Sequence, residues 1–213
     1  MAAEQTVVGK ANTSARGGRG NHAGEDGVAR RRSRREEILE IAVGLFAARG
    51  YHGVSMDDIG AAAGVTGPAL YHHFAGKEAM LAAALNPVSE GLLDGGRARV
   101  EGANEPKTAL VALVDFHVDF ALNNPAVIAL QLHELDRLPD EPRREIRRLQ
   151  RLYVEEWVRV LMALRDGMSA QEARVLAHAA FGLMNSTPFL SGEVDQSRCA
   201  DLLRAATLAA LQG

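Results

Sequence analysis

The stretch from Ser33 to Leu81, SRREEILEIAVGLFAARGYHGVSMDDIGAAAGVTGPALYHHFAGKEAML, constrains this chain more than any other. Three short helical patterns follow one another with glycine turns between them. Ile38, Leu39, Ala42, Leu45 and Phe46 recur at i, i+1, i+4, i+7 and i+8, the apolar stripe of one helix. Ser33 and Glu36 have the spacing of a capping box, and Gly50 is placed to end the helix because glycine takes φ > 0 without penalty. Ser55 and Asp58 open a second helix that turns Met56, Ile59 and Ala63 inward, and Gly64 closes it. Val65 fills the turn, and Thr66 caps a third helix running to Phe74.

Helix, short glycine turn, helix is the spacing of a helix-turn-helix, and equally of an ordinary αα-hairpin. The third helix separates the two. Leu70 and Phe74, with Val65, hold it down, which leaves Thr66, Gly67, Pro68, Ala69, Tyr71, His72 and His73 for the opposite side. Gly67, Pro68 and Ala69 keep its N-terminal end slim enough for backbone to approach the floor of a groove. Pro68 is tolerated because the first turn has no intrahelical use for its N–H. Tyr71, His72 and His73 supply donors for phosphates or base edges. Ser55, at the head of the second helix, joins them as a candidate contact. Lys77 adds a separate argument: a cation at a helix N-terminus opposes the macrodipole, and a phosphate shared with the free N–H groups there would explain it.

This stretch resembles the DNA-binding domain of the TetR/AcrR family of bacterial transcriptional regulators. The resemblance is carried by Ile38-Leu39, Ala42, Leu45-Phe46, Gly50-Tyr51, Asp58-Ile59, Ala63-Gly64-Val65, Leu70-Tyr71, His73-Phe74 and Lys77-Glu78. Gly60 departs from the family's usual alanine, at a cost of roughly 1 kcal/mol if it is exposed. The rest of the chain is similar only in length and helical character.

Composition supports helix over sheet: alanine and leucine abound and aromatics are 5%. One cysteine, Cys199, excludes an internal disulfide. No apolar run approaches the ~20 residues that span a bilayer, and no signal-peptide core opens the chain, so a cytoplasmic protein without membrane contact is expected. The net charge of −3 hides an asymmetry: residues 1–35 hold eight Lys/Arg and three acids, net +5, leaving −8 for the remainder. Residues 1–31, rich in Gly, Ala, Ser, Asn and Arg, form an arm expected to be disordered. Its run Arg30-Arg31-Arg32, with Arg34-Arg35, abuts the first helix and suits phosphate or minor-groove contact, with Arg32 nearest, or serves as a solubilising tail. The expected domains are therefore the arm, a helix-turn-helix domain over 32–80, and a ligand-binding and dimerisation domain over 81–213.

The last of these reads as further helices, about nine in all, in an all-α fold. The fourth helix starts near Lys77, is interrupted at Asn86-Pro87 and resumes from Val88 to Val100, weakened by Gly95-Gly96. Others run Lys107–Leu122, Ala126–Asp136, Arg143–Leu164, from Ser169 to about Leu190, and Asp195–Leu211. Phe116, Phe120, Tyr153, Trp157, Phe181, Phe189 and Met184 line a ligand cavity or fill an ordinary core. His117, Asn185, His133 and His178 are polar points on apolar helices, either ligand contacts or satisfied core groups. Arg143, Arg144, Arg147, Arg148 and Arg151 form either a solvated face paired with acids at i,i+4 or a rim for an anionic head such as a coenzyme A phosphate. Small residues stripe the last two helices, which the family uses as a four-helix dimer interface, so the resemblance implies a homodimer. HELDR lacks the second histidine of a zinc-protease motif, no G-x-S-x-G occurs, and no catalytic or metal-binding constellation or cofactor site is legible.

These readings converge on a ligand-responsive regulator, a repressor that binds double-stranded operator DNA and is released by a small hydrophobic or amphipathic effector such as an acyl-CoA or fatty acid. A sensor of hydrophobic antibiotics controlling drug efflux, an enzyme using the cavity, and an adaptor with a vestigial DNA-binding domain are the alternatives.

Overall fold

Caps and breakers set the element boundaries. The computed structural model describes residues 33–190, 192 and 194–212, so the N-terminal arm and Arg32 lie outside the described residues. Among these are nine α-helices and no strand: α1 (Arg34–Arg49), α2 (Met56–Ala63), α3 (Gly67–His73), α4 (Lys77–Glu101), α5 (Pro106–Asn123), α6 (Pro125–His133), α7 (Asp140–Leu164), α8 (Ala170–Met184) and α9 (Gln196–Gln212). Single 3-10 turns follow α6 at Leu135–Arg137 and α8 at Thr187–Phe189. Reciprocal capping boxes form at Ser33/Glu36, Ser55/Asp58 and Ser169/Glu172, each satisfying amide donors that would otherwise be orphaned. Gly50 and Gly64 end α1 and α2 at φ of 73° and 64°.

α6 stops at His133, short of the expected Asp136, where the chain tightens into the Leu135–Arg137 turn, and three further differences from expectation fall at prolines. Pro87 lies inside a continuous α4 of 25 residues, because the helix is buried on both sides of it through Ala84, Leu85, Ser89 and Leu92, and packing outweighs the one lost N–H. Pro142 sits in the first turn of α7, where no intrahelical donor is needed. Pro188 does end a helix: α8 stops at Met184 and the chain turns through Thr187–Phe189.

The interior holds two apolar clusters that meet along α4. The first, which we call the head, joins Ile38, Ala42 and Phe46 of α1, Ile59 and Ala63 of α2, Leu70 of α3, and Met80, Leu81 and Leu85 of α4. Residues remote in sequence complete it: Leu130 of α6, Leu138, and Ile146 of α7. The second, the body, joins Leu92 and Leu93 of α4 to Leu110, Leu113 and Val118 of α5, Tyr153, Trp157 and Leu161 of α7, and Ala173, Ala177, Ala180 and Met184 of α8. Gly95 and Gly96, expected only to weaken α4, are where other helices come close. A Cβ on Gly95 would clash with the Phe116 ring, and one on Gly96 would stand 2.5 Å from the Tyr153 ring. Gly60 is likewise buried rather than exposed, against the Val65 carbonyl.

Candidate functional site

Two sites emerge, one on the head and one in the body. On the head, Leu70 is sealed and Phe74 nearly so, which turns the other side of α3 outward. Thr66, Pro68, Ala69 and His72 are exposed and Tyr71 is 55% exposed, with Gly67 and His73 half-buried beside them. The Thr66 hydroxyl makes no cap bond, so it stays available. Ser55 is exposed too, but its hydroxyl donates to the Asp58 carboxylate, which also accepts the Ser55 backbone N–H, and these two bonds hold the Asp58 carboxyl below its ordinary range.

Lys77 has a structural use that its position concealed. Its Nζ donates to the carbonyls of Tyr51 at 2.7 Å and Val54 at 2.8 Å and lies 4.4 Å above the Tyr51 ring. The cation at the start of α4 is thus accounted for by two carbonyls and an aromatic face, and one ammonium N–H remains for a phosphate. The arginines at the start of α1 are also used: Arg34 donates to the Ala63 carbonyl and Arg35 stacks 4.5 Å over the Phe74 ring, both tying α1 to the α2–α3 unit.

In the body, α4, α5, α6, α7 and α8 surround a cavity of about 480 Å³. Leu92, Ile128, Leu132, Val154, Phe181 and Phe189 supply apolar wall, with Phe189, 72% exposed, at its mouth. His117, Gln131, Gln150, Tyr153, His178, Asn185 and Ser186 supply polar wall. Of the residues expected to contact ligand, His117, Tyr153, His178, Phe181, Asn185 and Phe189 line this space. Phe116, Phe120, His133, Trp157 and Met184 do not. Trp157 and Met184 are sealed in the core, and Phe116 lies between Gly95 and the Arg99 guanidinium, 3.8 Å from its ring. Phe120 stands behind His117, ring centres 6.0 Å apart.

His117 organises the wall. Its Nε2 is 2.9 Å from Asn185 Oδ1, which only accepts, so Nε2 carries the proton and Nδ1 accepts from the Tyr153 hydroxyl at 3.2 Å. Burial pushes the His117 pKa from 6.5 to about 4, so the imidazole is neutral at physiological pH. Burial also pushes the Tyr153 phenol upward. Trp157 and Phe181 pack against this pair with ring centres 5.1 Å apart. A neutral, hydrogen-bonded aromatic wall with an apolar remainder suits ligand binding.

The arginines of α7 stand away from the cavity wall. Arg143 pairs with Asp140, Arg147 with Asp136, and Arg148 with Glu145 through two bonds, whereas Arg144 and Arg151 make no ion pair among the described residues. The cavity residues that the sequence did not single out, such as Gln131, Leu132 and Gly182, carried no signal beyond helical periodicity. Gly95-Gly96 did carry one: paired glycines inside an apolar helix mark a close approach.

Residues 38–84 match the family described as "Bacterial regulatory proteins, tetR family", and residues 103–189 match "Tetracyclin repressor-like, C-terminal domain". A transcriptional repressor of Mycobacterium tuberculosis, KstR2, is 33% identical over 111 residues, 52% of this chain and 56% of that protein, so the match spans about half of that relative's length. The crystal structure of a TetR-family transcriptional regulator from Bordetella parapertussis superposes with a TM-score of 0.74 at 30% identity, over 82% of this chain and 93% of that one. AibR, solved in complex with isovaleryl coenzyme A and operator DNA, superposes at 0.69 and 25% identity, over 82% of this chain and 97% of its own. No helix of the described residues is long and apolar enough to cross a membrane. With its helix-turn-helix head and hollow helical body, the chain belongs to the tetR family of bacterial regulatory proteins.

Proposed function

We propose that this protein is a cytoplasmic, homodimeric DNA-binding regulator, not an enzyme: a repressor released from its operator when a small apolar or amphipathic effector enters the body cavity. The exposed face of α3 reads the major groove, with Thr66, Gly67, Pro68, Ala69, Tyr71, His72 and His73 as its contacts, flanked by Ser55, Lys77 and Arg32 on the backbone. A dimer engages half-sites about 34–36 Å apart or a multiple of that, so a small displacement of each head loses the fit.

One observation carries the reading: the helix that walls the cavity also fills the head. Ile128, Gln131 and Leu132 of α6 line the cavity, while Leu130 of the same helix is buried in the head cluster. Beyond its end, Glu134 Oε1 accepts the Tyr51 backbone N–H at 3.4 Å. A ligand that shifts α6 therefore acts on the head directly, besides any effect passed along α4. The exposed faces of α8 and α9 support the dimer. Ala173, Ala177, Ala180 and Ala200 are consumed inside the chain, whereas Val175 (69% exposed), Ala179, Gly182, Leu183, Leu202, Ala205, Ala206 and Ala209 face outward, an apolar surface that a second copy would cover.

A gel-shift titration with DNA from the region upstream of the protein's own gene tests this. Specific binding that weakens when Tyr71→Phe and Thr66→Ala are combined is expected. Equal, nonspecific affinity for every duplex would overturn it in favour of an adaptor.

A further inference from the structure

The polar wall of the cavity offers hydrogen-bond donors and no fixed charge. None of its lining residues is Asp, Glu, Lys or Arg. Gln131 Nε2 is shut off from solvent and has no hydrogen-bond partner, an unfavourable state for a buried donor. Asn185 has its Oδ1 committed to His117, and its amide nitrogen makes no hydrogen bond among the described residues. His117 is neutral, its pKa pushed down to about 4 by burial, so it supplies no counter-charge. A carboxylate or ammonium enclosed here would lose its hydration without gaining a partner ion. A neutral oxygen acceptor would take up the unbonded Asn185 amide and, once its side chain turns toward the cavity, that of Gln131.

We propose that the enclosed part of the effector is uncharged and apolar apart from a carbonyl-type oxygen that accepts from Gln131, as in a ketone, ester or thioester, and that free acids and amines are discriminated against. This rests on the effector reading above and specifies its ligand. Gln131 lies beside Leu130 on α6, so the bond that recognises the ligand forms on the helix that reaches the head.

The test uses the full chain and its single tryptophan, Trp157, which packs against Phe181 and Tyr153 of the cavity wall. Fluorescence titrations compare methyl octanoate, octanoate, octylammonium and nonane. Wild type should bind the ester about tenfold or more tighter than nonane, and tighter than either ion. Gln131→Leu should erase the preference over nonane, and Gln131→Glu should shift it toward octylammonium, so that the second variant decides if the first does not fold. Tightest binding of either ion by wild type, no binding of any of the four, or an ester preference unchanged in Gln131→Leu would overturn the inference. Ester binding with the expected preference but no weakening of the DNA complex would support the cavity chemistry and count against the effector role alone.

Discussion

Around Ile59 and around His117 the same helical chemistry is put to opposite ends. Ile38, Ile59, Leu70, Met80 and Leu81 of the head are completely enclosed and all apolar, and the polar groups of α3 point outward. In the body, His117, Tyr153 and Asn185 turn their polar atoms inward, bond to one another, and leave a cavity of about 480 Å³ beside them. The head is filled so that its surface is presented rigidly. The body keeps an interior that a ligand can enter, and it holds that interior open with hydrogen bonds rather than with volume.

The largest effect on this contrast should come from Leu130→Ala. Leu130 sits on a helix of the body yet fills the head, so removing it should cost about 2–5 kcal/mol in denaturant unfolding and weaken DNA binding with the cavity intact. A loss near that of a surface substitution would mean that α6 does not belong to the head.

Acid should act on the body through His117. Its folded pKa, about 4, lies below its ordinary 6.5, so between these values the unfolded chain binds a proton that the folded chain refuses. Stability should therefore fall as pH drops through that window, by roughly 3 kcal/mol from this group. In thermal unfolding across pH, His117→Gln should remove that contribution; an unchanged slope would mean that the imidazole is not held neutral.

The same glycine substitution should have opposite signs on the two sides. Gly96→Ala gains helix propensity but drives a methyl into the boxed Tyr153 ring, with a net loss of about 1–2 kcal/mol. Gly44→Ala, on the exposed face of α1 with nothing within 4 Å of its new methyl, should gain up to about 1 kcal/mol. Melting temperatures of the two variants moving together would remove the packing argument. The smallest effect belongs to Arg148→Ala: its pair with Glu145 is solvated, and neither the unfolding midpoint nor effector-driven DNA release should change measurably.

The head was legible because its determinants are local. Ser33/Glu36 and Ser55/Asp58 cap within four residues, Gly50 and Gly64 stop their own helices, and Leu70 and Phe74 are one turn apart. The cavity was only half legible because its wall depends on which helices meet. His117 and Asn185 stood out as polar residues on apolar helices and do meet, 68 residues apart. Trp157 and Phe116 looked equally suited, but one is sealed behind the wall and the other is drawn to Gly95. The structural use of Lys77 was not legible either: its partners, the carbonyls of Tyr51 and Val54, are 26 and 23 residues away, out of reach of an argument from helix position.

Fluorescence anisotropy can show whether the occupied cavity loosens the head's hold on DNA through α6. A labelled duplex from the upstream region would be titrated with the full chain, with and without a ligand that Trp157 fluorescence reports as bound. Affinity should fall at least about tenfold with ligand, a coupling of roughly 1.4 kcal/mol, and the fall should shrink in Glu134→Ala, which cuts the bond from the end of α6 to Tyr51. Equal affinity for the duplex with the cavity empty and with it filled would mean that the cavity does not govern the head's hold on DNA.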